Sequence, residues 1–277
     1  MAANRRFRHK KSLGQNFMMD RNIARKLVES VGVTKDDIIL EVGPGTGILT
    51  EELLQRAKHV SSVEIDERLV EILNERFASA KNYENIHHDF LTFDISDLSK
   101  RQKSKIKIIG NIPYHITSQI LIHIFEHYRV VENLTATVQK EVAERILSPP
   151  GSKTYGILSV YSAIFSTPVK LFNISRGAFN PRPKVESTAF RLNFKEKIAV
   201  KPEDVKLLMQ VIRTSFGKRR KMLRNSLKDI GDCISFLEEK GFDLSLRPES
   251  LHIGEFIDLS AAIKEWINGE SARLVKQ

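Results

Sequence analysis

Between residues 38 and 147, short β-branched apolar runs alternate with segments of helical periodicity, and no other feature restricts the fold as much. Ile38–Val42 reads as a buried strand, followed by a glycine turn and a helix carrying Ile48, Leu49, Leu53 and Leu54. Residues 60–65 read as a second strand, residues 66–77 as a second helix, and Tyr83–His87 as a weaker third strand. Ile106, Ile108 and Ile109 make a fourth strand ending at Gly110-Asn111, after which Ile116, Ile120, Leu121, Ile124 and Phe125 recur at helical spacing. A fifth strand over 134–138 precedes a helix over 141–147. Strands apolar on both faces, each joined to the next by a helix, require a parallel sheet covered on both sides. The expected class is therefore α/β, with a Rossmann-like sheet. Ahead of it, Asp20 is placed to cap a helix whose apolar face is Ile23, Ala24, Leu27, Val28 and Val31.

Past the loop Ser148-Pro149-Pro150-Gly151-Ser152, two more strands are expected, over 169–172 and Ser187–Phe194, flanking the stiff Asn180-Pro181-Arg182-Pro183. Beyond about residue 198 only helical patterns remain: Leu207, Leu208, Val211 and Ile212, then Met222, Leu223 and Leu227, then residues 256–266. This predicts a first domain over 1–197, opening with a basic tail at 1–11, and a small all-helical domain over 198–277. The formal net charge of +10 is concentrated rather than spread. Arg5, Arg6, Arg8, Lys10 and Lys11 lie in the tail, and Arg213, Lys218, Arg219, Arg220, Lys221, Arg224 and Lys228 lie in a second run with no acid. Outside these stretches the chain is slightly acidic, so the excess suits two contact points on a polyphosphate. No apolar run reaches the length of a membrane span and no signal-peptide pattern opens the chain, so a cytoplasmic protein without membrane contact is expected. The single Cys233 excludes an internal disulfide and a multi-cysteine metal site, and reads as a small buried hydrophobe.

The segment Glu41-Val42-Gly43-Pro44-Gly45-Thr46-Gly47 falls at a strand-to-helix junction, where glycines let backbone approach a ligand. Its G-x-G-x-G spacing differs from the dinucleotide fingerprint, and no lysine follows as a phosphate loop requires. Glu64 ends the second strand 21 positions after Gly43, where a carboxylate can take both hydroxyls of a ribose. Asp89, just past the third strand, can accept from an adenine amino group. Together they describe a nucleoside site with no phosphate anchor.

Asn111-Ile112-Pro113-Tyr114 follows the fourth strand at the carboxyl edge, where open sheets bind ligands. An adenine amino nitrogen is a poor nucleophile because its lone pair is delocalised into the ring. Two acceptors on its hydrogens, the Asn111 side-chain oxygen and a backbone carbonyl of Ile112 or Pro113, draw it toward tetrahedral geometry. Tyr114 can stack on the base, and Phe179 offers a second stacking face, although by itself it reads as a core aromatic. Two further patterns carry less. His123-Ile124-Phe125-Glu126-His127 fits an inverted zinc-peptidase motif but is expected to be a neutral surface face. His87 and His88 are adjacent on an extended segment and point to opposite sides, so no metal is expected.

These motifs together resemble the KsgA-type small-subunit ribosomal RNA adenine dimethyltransferases, nearly end to end. The matching segments are Lys11-Ser12-Leu13-Gly14-Gln15-Asn16-Phe17, Glu41 to Gly47, Val63-Glu64-Ile65-Asp66, His88-Asp89-Phe90, Asn111 to Tyr114, Phe179 to Pro183, and Phe216-Gly217-Lys218-Arg219-Arg220-Lys221. The resemblance implies S-adenosylmethionine as methyl donor, contacted by Asn16, Met18, Gly43, Glu64, Asp89 and Asn111. It implies that Asn111, Tyr114 and Phe179 hold the target adenine, with a carbonyl of Ile112 or Pro113 as the backbone acceptor read above. Met18 and Ile112 stand where leucine is common in the family. The implied substrate is a pair of adjacent adenosines in a hairpin loop near the 3′ end of 16S rRNA, on a maturing small subunit, with the enzyme acting as a monomer. The helical domain and basic tail would dock RNA through Arg5, Arg6, Arg8, Lys10, Lys11, Lys218, Arg219, Arg220, Lys221 and Arg224. Two alternatives remain: a large-subunit adenine methyltransferase of the macrolide-resistance type, and a non-catalytic RNA-binding assembly factor.

Overall fold

The computed structural model describes residues 15–218 and 221–274. They divide into two compact units: one runs to Ala143 and resumes over Pro168–Phe194, and the other holds Glu144–Thr167 and the chain from Lys195. The first unit contains β1 (Phe17–Met18), α1 (Arg21–Val31), β2 (Ile38–Val42), α2 (Ile48–Leu54), β3 (His59–Glu64), α3 (Glu67–Arg76), β4 (Tyr83–His87), α4 (Ile95–Gln102), β5 (Ile106–Asn111), α5 (Thr117–Glu126) and β6 (Val131–Gln139). After α6 (Lys140–Ile146) and α7 (Ile157–Phe165), the chain returns through β7 (Ser166–Ile174), β8 (Phe179–Asn180) and β9 (Ser187–Phe194).

Seven strands form one sheet in the order β4-β3-β2-β5-β6-β9-β7. Pairings from β4 through β6 are parallel, and β9 runs antiparallel to β6. The chain steps outward from β2 to β4, then crosses back to place β5 on the other side of β2. Strand order therefore reverses between β2 and β5, and open α/β sheets bind ligands beyond the carboxyl ends at such a switch point. The expected parallel sheet is present because β2, β5 and β6 are buried on both faces, with Ile38, Ile39, Leu40, Ile106, Ile108, Ile109 and Leu134 nearly solvent-free.

Local chemistry fixes the element ends. The Asp20 side chain accepts from the backbone N–H groups of Asn22 at 2.9 Å and Ile23 at 3.2 Å, capping α1 as expected. Asp94 caps α4 in the same way through Ser96 and Asp97. Gly110 lies opposite Val42 in the β2–β5 register, and a Cβ there would stand 2.7 Å from the Val42 carbonyl oxygen. Two central strands approach where only glycine fits, so Gly110→Ala is expected to lower stability by about 1–3 kcal/mol. A fall in the thermal midpoint checks this; an unchanged midpoint would mean that the strands separate there at no cost.

The second unit is helical, with α7 joined by α8 (Val205–Gly217), α9 (Leu223–Leu227), α10 (Ile234–Glu239) and α11 (Ile253–Leu274). The Tyr161 hydroxyl donates to the Met209 carbonyl at 2.7 Å, and Phe216 stacks on Phe256. Cys233 is buried there. The segment 144–167, placed before the boundary at 198 by the sequence pattern, groups with this unit.

Candidate active site

The chain entering β1 and the carboxyl ends of β2, β3, β4 and β5 meet around a cavity of about 230 Å³. The turn after β2 supplies Gly43 and Gly45 at φ values of 61° and 58°, a left-handed backbone that favours glycine. A Cβ on Gly45 would stand 2.8 Å from the Phe17 ring, whereas one on Gly43 would meet nothing within 4 Å. Gly45 thus admits the β1 segment, and Gly43 leaves its face open to the cavity it lines. Glu41 underlies the turn: it accepts from the Thr50 hydroxyl at 2.6 Å, and burial pushes its carboxyl up to about 7.

Glu64, the last residue of β3, is 5% exposed. One of its oxygens accepts from the Ile65 and Asp66 N–H groups at 3.0 Å each, and the other from Gly45 N–H at 3.3 Å. Burial nevertheless holds its carboxyl above the ordinary carboxylate range. Asp89 follows β4, lines the cavity, and accepts from Leu91 N–H at 2.9 Å, capping the turn Phe90–Thr92.

Asn111 ends β5 at the switch point. Its Nδ2 donates to the Asn16 carbonyl at 2.7 Å, and its Oδ1 accepts from the Thr137 hydroxyl at 2.5 Å. Ile112 is buried, and its N–H donates to the Thr137 carbonyl at 3.2 Å. The Pro113 carbonyl accepts from Ile116 N–H and from the Thr117 hydroxyl. Tyr114 hydrogen-bonds Ser187 hydroxyl to hydroxyl at 2.6 Å, and burial raises its phenol further, so the ring is neutral.

Asn16, Gly43, Glu64, Asp89, Asn111, Ile112, Pro113 and Tyr114 therefore line one cavity. Met18 and Phe179 do not. They pair with each other across the β1–β8 ladder, and both side chains sit in the core at 3% and 4% exposure. Adjacent strand residues point to opposite faces: Phe179 turns inward, Asn180 outward. The Phe179 ring thus does not face this cavity, although the next residue, Asn180, pairs with Phe17, which lines it. Phe17, Ile65, Phe90 and Leu91 add apolar lining that sequence reasoning did not single out. Phe17, Ile65 and Phe90 fall within the segments that carry the family resemblance, and Leu91 follows Phe90.

The histidine pair at the carboxyl end of α5 is partly buried rather than a surface face. His123 is half-buried and its Nε2 hydrogen-bonds the Phe93 carbonyl at 2.9 Å, while burial depresses its pKa. The face packs because Phe90 stands edge-on to the His123 ring. No group of His, Cys, Asp and Glu placed to hold a metal occurs among the described residues.

Of the expected RNA contacts, Arg5, Arg6, Arg8, Lys10, Lys11, Arg219 and Arg220 lie outside the described residues. Lys221 is exposed. Lys218 pairs with Asp229 at 2.8 Å, and Arg224 pairs with Glu238. The basic run holds no acid of its own, but acids that follow it in the chain fold back on two of its cations.

A positive-φ glycine turn after the central strand, an acid ending the next strand and Asn-Ile-Pro-Tyr at the switch point define the class of Rossmann-like S-adenosylmethionine-dependent methyltransferases. The chain belongs to the ribosomal RNA adenine dimethylase family, whose model matches residues 6–259. It is 40% identical over 260 residues to the ribosomal RNA small subunit methyltransferase A of Caldanaerobacter subterraneus subsp. tengcongensis, covering 92% of this chain and 97% of that one. It is 38% identical to the protein of the same name from Lachnoclostridium phytofermentans, covering 94% and 93%. Among solved structures, a dimethyladenosine transferase from Plasmodium falciparum has the same fold, with a TM-score of 0.73 and 24% identity over 91% of this chain and 98% of that one. The 23S rRNA methyltransferase ErmE is similar with a TM-score of 0.64 and 26% identity, covering 90% and 100%.

Proposed function

We propose that this protein dimethylates the N6 amino groups of two adjacent adenosines in the 3′-terminal hairpin loop of 16S rRNA, as a monomer acting on the maturing small subunit in the cytoplasm. The observation that carries the choice of subunit is the set of relatives named for the small subunit, which match at 40% and 38% identity along nearly the whole chain. The large-subunit reading draws on the weaker 26% likeness to a 23S enzyme. The family and the intact cavity speak against a purely structural assembly factor.

The cavity fits a nucleoside cofactor without phosphates. Gly43 leaves room at the turn, no lysine follows it, and the described acids Glu64 and Asp89 line the cavity from the carboxyl ends of the neighbouring strands β3 and β4. When bound, S-adenosylmethionine supplies an electrophilic methyl group from its sulfonium. Glu64 takes the ribose hydroxyls in competition with its own backbone donors, and Asp89 accepts from the adenine amino group. Asn16, Met18 and Gly43 contribute through backbone atoms, Met18 from its place beside the turn. Asn111 Oδ1 accepts one hydrogen of the target amine. The Ile112 carbonyl takes the other, because that of Pro113 is already held by Ile116 and Thr117. Tyr114, anchored by Ser187, presents its ring to the base. Phe179 reaches the base only by turning its ring out of the core. No strong base is required, since a methylated ammonium is acidic enough to lose its proton to water, and positioning carries most of the rate.

The basic tail and the run from Lys218 to Arg224 grip RNA phosphates. Reversing Arg219 and Arg220 to Glu is expected to weaken RNA association and lower the slope of log affinity against log salt by about 1 per lost contact. An unaltered slope would return those residues to ordinary solvated surface. The position of the product tests the substrate assignment. Dimethyladenosine at two adjacent positions of the 3′-terminal loop is expected, and methylation mapped elsewhere would overturn it.

A further inference from the structure

We propose that Thr137 is a positioning residue for methyl transfer, holding both acceptors of the target amine, and that its hydroxyl governs addition of the second methyl group. This rests on the reading that Asn111 and Ile112 receive the amine hydrogens.

Thr137 lies on β6 directly opposite Asn111 in the parallel register and is fully buried. Its hydroxyl donates to Asn111 Oδ1 at 2.5 Å, and its carbonyl accepts from Ile112 N–H at 3.2 Å. One residue thus ties down the side chain that offers the first acceptor and the peptide beside the second. The Asn111 amide is held at both ends, because Nδ2 donates to the Asn16 carbonyl at 2.7 Å. Flipping it would set two carbonyl oxygens against each other, so the Asn16 contact fixes which end is oxygen. The Thr137 hydroxyl fixes where that oxygen points. A carbonyl oxygen has two lone pairs, so with one taken by Thr137 the other remains for the amine.

The consequence differs between the two transfers. Each replaces one N6 hydrogen by methyl: an N–C bond forms, the donor S–C bond breaks with its pair returning to sulfur, and a proton leaves the nitrogen. An unmethylated amine presents two hydrogens to two acceptors, but a monomethyl amine presents one. Its orientation then hangs on a single hydrogen bond, and any looseness in Asn111 weighs more on the second step.

The same strand supplies a control. Thr135, two residues earlier on the same face, is equally buried, yet its hydroxyl has no hydrogen-bond partner among the described residues. Thr137→Val, Thr137→Ser and Thr135→Val are compared in the full chain. The readouts are single-turnover rates, the ratio of monomethyl to dimethyladenosine, cofactor affinity by calorimetry, and thermal unfolding. Thr137→Val is expected to slow transfer about 10- to 100-fold, to accumulate monomethyladenosine, and to leave cofactor affinity essentially unchanged. Thr137→Ser restores dimethylation, and Thr135→Val behaves as wild type. If valine impairs folding, Thr137→Cys, which keeps the volume and offers only a weak donor, is expected to show the same product ratio. A wild-type rate and product ratio in a folded Thr137 variant lacking the hydroxyl would overturn the proposal. So would an equal loss in Thr135→Val, which would reduce the effect to packing.

Discussion

Replacing Asn111 by Ala is expected to lower the rate of methyl transfer by about 1000-fold or more while leaving RNA association nearly intact. Removing one preorganised hydrogen-bonding group from an active site costs about 100- to 1000-fold in turnover. Here the loss is compounded, because the Asn111 amide also links the Asn16 carbonyl to the Thr137 hydroxyl. Without it the target amine keeps a planar, delocalised nitrogen and one acceptor at most. Quench-flow rates at saturating RNA, with binding followed separately by fluorescence anisotropy, separate the two effects. Wild-type turnover by the variant would remove the proposed mechanism, and a parallel loss of RNA binding would make Asn111 an RNA contact instead.

The second large effect falls on cofactor binding. Glu64→Ala is expected to weaken S-adenosylmethionine affinity by about 100-fold or more, since hydrogen bonds to a charged acceptor contribute roughly 1.5–3 kcal/mol each. Glu64 also accepts from the backbone of Gly45, Ile65 and Asp66, so Glu64→Gln serves as the gentler companion that keeps one acceptor oxygen. A pH dependence accompanies the assignment. Burial raises the Glu64 pKa, and the ribose hydroxyls donate to the ionised form, so binding favours loss of its proton. Affinity is therefore expected to be full at high pH and to fall as pH drops through that raised value, above where an ordinary glutamate titrates. Glu64→Gln should flatten the profile. Calorimetry showing equal affinity for Glu64→Ala, or an unchanged pH profile for Glu64→Gln, would withdraw Glu64 from the ribose.

Much of this architecture is legible in the sequence because its central strands are apolar on both faces. Ile38–Val42, Tyr83–His87 and Ser187–Phe194 are read at their observed limits, and Asp20 with the apolar face that follows it announces α1. Gly43, Glu64, Asp89 and Asn111, which line the cavity, are visible for a related reason: a parallel sheet delivers ligand groups at its carboxyl ends, so strand ends are where such residues stand out.

What stays hidden has physical causes. The β1–β8 ladder joins two residues to two others more than 160 positions away, too short for any periodicity to show, yet it decides that Phe179 faces the core. α7 is apolar nearly all round, which erases the amphipathic pattern by which a helix is recognised. α4 is the opposite case, a polar segment buried only through Ile95 and Leu98. Thr137 looks in sequence like any β-former on a buried strand, and only the register with Asn111 gives its hydroxyl a role. The ion pairs of Lys218 and Arg224 likewise depend on acids that counting within the basic run does not include.

The most direct measurement of the central claim is transfer of labelled methyl groups from S-adenosylmethionine to purified small ribosomal subunits lacking adenine dimethylation, with large subunits as the parallel substrate. The account predicts label in dimethyladenosine of the small-subunit RNA and none above background in the large subunit. Label confined to large-subunit RNA, or absent from both, would contradict it.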